Sequence, residues 1–268
     1  MPLDRRQFLF GALALGAAAC SSSGDGTSGS GAGDASAAPR DTTASTTLAP
    51  TTTVAPTTTA APTTTRFSGT ARYVPKGDAS SPRVAFTFHT EGTVAQVGRL
   101  LDMAKTLEVP LTMMIVGKWL EANPDLGKRI ASAGHDVGNH TYSHLSLPDQ
   151  TRAVVAQEIE RGAAILTDVT GGRGRWFRPS GSNSTTTLIN EEAGKAGYPV
   201  VLGFDVDPLD YQDPGSATVR TRVVSGLVPG GIVSLHAHHQ GTIDVFESMV
   251  AAVRDKGYTL VRASDLVH

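Results

Sequence analysis

Cysteine is almost missing from this chain. Cys20 is the only one in 268 residues, which excludes an internal disulfide and a thiolate cluster. A charge excess is missing as well. The 23 Lys and Arg against 25 Asp and Glu leave a formal net charge of −2, so there is no electrostatic footprint for nucleic acid. Aromatic side chains make up 6% of the composition, and Trp119, Tyr142, Trp176 and Tyr211 read first as packing residues, with only Tyr142 and Tyr211 expected near a site. No apolar run reaches the ~20 residues of a membrane-spanning helix; the one at the N-terminus is about a dozen long, the size of a signal-peptide h-region.

That N-terminus, MPLDRRQFLFGALALGAAACSSSG, places Arg5 and Arg6 before the apolar run and small residues after it. Residues 1–20 resemble a bacterial lipoprotein signal in which Cys20 is lipidated and becomes the mature N-terminus, and RRQFL resembles a twin-arginine export motif. An ordinary cleaved signal peptide with an incidental cysteine is the alternative. Both readings predict export, and the lipoprotein reading adds anchoring to the cell membrane, facing the cell wall or the extracellular space. Residues 21–66 reduce largely to Ser, Thr, Ala, Pro and Gly, ending in TTLAPTTTVAPTTTAAPTTT. Such a composition cannot offset its ordering entropy by burial and predicts a disordered tether.

From residue 67 to 268, short apolar runs alternate with segments of helical spacing. RVAFTFH, PLTMMIVG, RWFRP, PVVLGF and GGIVSLH have the length and composition of strands. Val94, Val97, Leu101 and Ala104 mark one helical face; Val155, Ile159, Ala163 and Leu166 mark another; Ile243, Phe246, Val250 and Val253 mark a third. The alternation predicts one α/β domain on a parallel sheet, either a barrel or a doubly wound sheet, with ligands at the carboxyl ends of the strands.

Polar residues gather at those ends. His89, Thr90 and Glu91 close the first run. NHTYSH carries His140 and His144, four apart, a spacing that on a helical turn faces both imidazoles toward one metal ion. Arg178 closes RWFRP, Asp205, Asp207 and Asp210 follow VLGF, and His236 closes IVSLH ahead of His238 and His239. Each has a plain structural alternative: an ion-pair partner for Arg178, loop caps for Asp207 and Asp210, a satisfied core histidine for His236.

Taken together, AGHDVGNHTYSHLSL, WFRPSG, DPLDY, IVSLHA and the closing MVAAVRDKGYTLVRASDL resemble, in order, the motifs of the polysaccharide deacetylase family, the chitooligosaccharide deacetylase homology domain. The resemblance implies a distorted (β/α) barrel that removes acetyl groups from N-acetylated glycans such as peptidoglycan or chitooligosaccharide. It implies a divalent metal, Zn2+, held by His140 and His144, with His236 as the acid, Arg178 orienting the base, and Asp207, ahead of Asp210, tuning His236. Tyr142, Pro179, Tyr211 and Leu235 fall at substrate-binding positions.

The first motif departs from the pattern. Where the family has two aspartates after Thr-Phe, this chain has His89 and Thr90; aligned without a gap, His89 replaces the base and Thr90 the third metal ligand. Losing both carboxylates weakens the metal site. Glu91 as an oxygen ligand, or His89 as a third imidazole ligand, would restore it; His89 is alternatively the base itself, kept neutral by Arg178. Two functions stay open: an altered metal-dependent hydrolase of N-acetyl or O-acetyl groups, and a catalytically inactive carbohydrate-binding or structural cell-surface lipoprotein.

Overall fold

The computed structural model describes residues 67–268. Cys20 and the segments expected to be a signal and a tether, residues 1–66, lie outside them. Eight parallel strands are β1 (Arg72–Val74), β2 (Arg83–Thr90), β3 (Thr112–Ile115), β4 (Asp136–Asn139), β5 (Trp176–Phe177), β6 (Val200–Leu202), β7 (Ile232–His236) and β8 (Thr259–Val261). They hydrogen-bond in the order β1-β6-β5-β4-β3-β2-β7, with β8 beside the first residues of β2. The sheet curls into a half-barrel; a parallel bridge from Val206 to Val233 joins the chain after β6 to β7.

Helices α1 (Val94–Thr106), α2 (Gly117–Ala122), α3 (Pro124–Ser132), α4 (Arg152–Thr170), α5 (Thr187–Lys195), α6 (Ser216–Gly226) and α7 (Gln240–Asp255) flank it. The three helical faces legible in the sequence become α1, α4 and α7, which bury their apolar stripes except at Val94, the first residue of α1, which is 59% exposed. A capping box between Thr93 and Gln96 starts α1. Thr151 caps α4, which ends at Gly171 with φ 81°, a left-handed conformation that glycine adopts without a Cβ penalty. No helix among the described residues is long and apolar enough to cross a membrane.

Strand alternation places the site. Phe86 and Phe88 of β2 point outward onto Phe246 of α7, with ring centroids 6.4 and 6.0 Å apart. Thr87 and His89, one position off, point inward and meet Arg178. The same alternation turns Thr90 outward, and its hydroxyl donates to the carbonyl of Phe88.

Candidate functional site

The inward side chains line a cleft of about 540 Å³ formed by His89, His144, Gly181, Ser182, Asn183, Phe204, Asp207, Tyr211, Ser234, His236 and His238. Its floor is organised around Arg178, 1% exposed at the end of β5. The guanidinium donates from Nε to the Leu202 carbonyl at 2.9 Å, from Nη2 to the Gly203 carbonyl at 2.9 Å, and from Nη1 to Thr87 Oγ1 at 2.8 Å and His89 Nε2 at 3.2 Å. All four acceptors are uncharged. Burial in this low-dielectric setting pulls the Arg178 pKa down to about 9, so it remains a cation at neutral pH.

His89 is held at both nitrogens, since its Nδ1 lies 2.9 Å from His236 Nε2. Burial first, then the neighbouring His140, His236 and Arg178, holds its pKa well below 6.5. On the far side of His236, Nδ1 is 2.7 Å from Asp210 Oδ1 and the main-chain N–H donates to Oδ2 at 2.8 Å. Thr242 adds a third hydrogen bond to that carboxylate. Burial alone would raise the Asp210 pKa, but the hydrogen bonds and the His236 imidazole outweigh it and leave it lowered. Asp207 instead accepts from the N–H of Leu209 in its own turn, at 2.9 Å. The carboxylate against His236 is therefore Asp210, because Leu209, at φ 54°, swings the chain so that Asp210 and not Asp207 meets the imidazole.

His140 and His144 do not share a helical turn. They lie on a loop after β4 whose Thr141 and His144 have φ of 66° and 61°, pinned by Glu158, which accepts from the N–H groups of Tyr142 and Ser143 and from the Ser143 hydroxyl. The rings still come within 5.0 Å of each other. His140 Nδ1 donates to the Arg178 carbonyl at 2.9 Å, leaving Nε2 buried without a partner. Burial, and then His144, holds its pKa well below 6.5. Glu91 Oε1 is 3.2 Å from His144 Nδ1 and 3.8 Å from His238 Nδ1.

The donors present do not fit the metal that the resemblance implies. The bare Nε2 of His140 suits a cation. His89, however, offers no free lone pair, Thr90 faces the helices, and among the described residues no three His, Cys, Asp or Glu side chains form a group able to hold a metal ion. The expectation of a three-histidine site through His89 is corrected by the two hydrogen bonds that already occupy its ring.

The substrate-binding expectations divide. Tyr211 lines the cleft, 46% exposed, its ring 5.5 Å from that of His236. Tyr142 does not: the Arg161 guanidinium covers its ring at 3.6 Å and its hydroxyl donates to Glu121. Leu235 packs in the core and Pro179 is buried, and neither lines the cleft. Phe204, Ser182, Asn183 and His238 line it although no motif marks them as ligand contacts; Phe204 is readable as the residue ending the PVVLGF run.

A curled parallel sheet with its cleft at the strands' carboxyl ends defines the class, a (β/α)-barrel-like domain. Residues 76–201 match the family described as Polysaccharide deacetylase. It is 27% identical over 192 residues to the uncharacterized protein YlxY of Bacillus subtilis, covering 72% of this chain and 59% of that protein. It is 27% identical over 193 residues to a peptidoglycan-N-acetylglucosamine deacetylase of Bacillus cereus, covering 70% of each. Among solved structures, BA3943 of Bacillus anthracis, described as a CE4 family pseudoenzyme, superposes with a TM-score of 0.69 at 22% identity over 74% of this chain and 69% of its own; that likeness speaks for the fold alone.

Proposed function

We propose that residues 67–268 form a domain that binds N-acetylated glycan strands, such as peptidoglycan or chitooligosaccharide, without cleaving the acetamido bond. The glycan class follows the family resemblance and the Bacillus cereus relative. The loss of hydrolysis is carried by one observation: His89, at the position expected of the base, is hydrogen-bonded at both nitrogens, to Arg178 and to His236. The cleft keeps what binding needs, an exposed aromatic in Tyr211 and polar groups in Ser182, Asn183 and Asp207. With Cys20 lipidated and residues 21–66 as tether, the domain would work at the outer face of the cell membrane, within reach of the wall.

A second reading, a hydrolase of N-acetyl or O-acetyl groups with zinc on His140 and His144 and Glu91 as the oxygen donor, is favoured by the unpartnered His140 Nε2. One experiment separates the two. Purified protein is dialysed, its metal content is determined, acetate release from chitooligosaccharides and peptidoglycan is followed with and without added zinc, and saccharide binding is titrated calorimetrically. The binding reading expects saccharide affinity that survives chelation, and no acetate. Acetate release that stops on chelation and in His140→Ala would establish the hydrolase instead.

A further inference from the structure

The floor of the cleft joins a buried cation to a buried anion through two imidazole rings, and the donors order the protons between them. Arg178 carries only N–H groups, so His89 Nε2 accepts. A neutral imidazole that accepts at Nε2 holds its proton at Nδ1, and that proton is donated over 2.9 Å to His236 Nε2. His236 in turn holds its own proton at Nδ1, where Asp210 accepts it at 2.7 Å. The order Arg178, His89, His236, Asp210 admits no other arrangement while both rings are neutral.

We propose that this one-way chain is a built-in replacement for the metal ion: it connects the guanidinium to the carboxylate through aligned imidazole dipoles and occupies the Nε2 of His236. The proposal rests on the binding reading above and deepens it, because a His236 whose Nε2 already accepts from His89 has no proton to give to an amide leaving group in the cleft. His140 braces the chain from the side, its ring 4.2 Å from that of His89 and its Nδ1–H on the Arg178 carbonyl. Where a metal would supply positive charge, this floor relies on Arg178, and the histidine at position 89 is what lets that charge reach His236 without a carboxylate between them. An aspartate there could accept from Arg178 but could not donate onward.

The test is two-bond 1H–15N correlation on the full chain with 15N-labelled histidine. Expected are His89 and His236 as neutral rings protonated at Nδ1, with slowly exchanging Nδ1 protons, unchanged by EDTA or by one equivalent of zinc sulfate. Either ring found protonated at Nε2 instead, or its nitrogens shifted by zinc, would overturn the proposal. Two variants sharpen it: His89→Gln can still accept from Arg178 and donate to His236, whereas His89→Asp cannot donate. The slow Nδ1 proton of His236 should persist in the first and exchange at least tenfold faster in the second; equal exchange in both refutes the chain. Saccharide titration of the same samples is a separate readout, so a failure to bind glycan with the proton pattern intact would sink the binding reading and leave the chain standing.

Discussion

A fully buried guanidinium with four neutral acceptors is costly, and a buried charge that loses a partner is costlier still. That makes the two ends of the Arg178 to Asp210 chain unequal to their neighbours in sequence. Asp210→Asn keeps the shape but replaces an anion that accepts three hydrogen bonds; thermal or urea unfolding should show a loss of about 2–4 kcal/mol. Asp207→Asn, whose amide oxygen can still accept from the N–H of Leu209 in the local turn, should cost under ~1 kcal/mol. Equal losses would mean that the carboxylate on His236 has been misassigned. The histidines give a pH signature. His89 and His140 have folded pKa values well below 6.5, so the unfolded chain binds more protons than the folded one below that pH. Stability is then full above about pH 6.5 and falls as the pH drops, by up to about 1.4 kcal/mol per pH unit for each such histidine. Chemical denaturation from about pH 7.5 to 5 should show this fall, and His89→Gln should make it shallower by one histidine's share.

At the scale of elements, helix α4 sits close on β4 because Gly162 has no side chain. A Cβ there would stand 2.4 Å from Asn139 Oδ1, and Asn139 is itself fixed by donating to the Ile159 carbonyl and the Tyr198 hydroxyl. Gly162→Ala should destabilise by about 1–3 kcal/mol through overpacking, while Gly172→Ala, with open space around it, should lie within about 0.5 kcal/mol of the parent; matching midpoints in urea would refute the close approach. This contact also shows what the sequence makes legible. The long amphipathic helices α1, α4 and α7 and the apolar strands β2, β3 and β7 announce themselves because their burial is periodic. Strand β4, DVGN, is a strand because β3 and β5 pair with both its edges, and β1 is held by its pairing with β6; neither pattern is local. The loop of His140 and His144 reads as a helical turn only until Glu158, far along α4, takes up its N–H groups. The inward and outward order of His89 and Thr90 is readable from strand period. Which aspartate of DPLDY meets His236 is not, because it depends on the left-handed Leu209.

On the scale of the whole domain, half-barrel and cleft are assembled from strands β1 to β8 around a floor whose charges are matched inside the protein. A domain built on a resident metal would gain stability from it by mass action: at a free metal concentration about 100 times the dissociation constant the gain is about 2.7 kcal/mol. For a folded unit of this size each kcal/mol moves the melting temperature by roughly 2–4 °C, so a zinc-dependent fold would melt about 5–10 °C lower in EDTA than in zinc. The self-contained floor predicts a difference below about 1 °C between the two, because Arg178, His89, His236 and Asp210 satisfy one another and no described group of three donors gathers around a cation. Chitooligosaccharide at saturating concentration should raise the melting temperature under both conditions alike, since Tyr211, Asn183 and Asp207, which line the cleft, are not among the side chains expected to hold a metal. Differential scanning calorimetry with the four combinations of EDTA or zinc, with and without saccharide, checks both statements at once; a zinc-dependent rise that disappears in His140→Ala would return the metal to the centre and with it the hydrolytic reading.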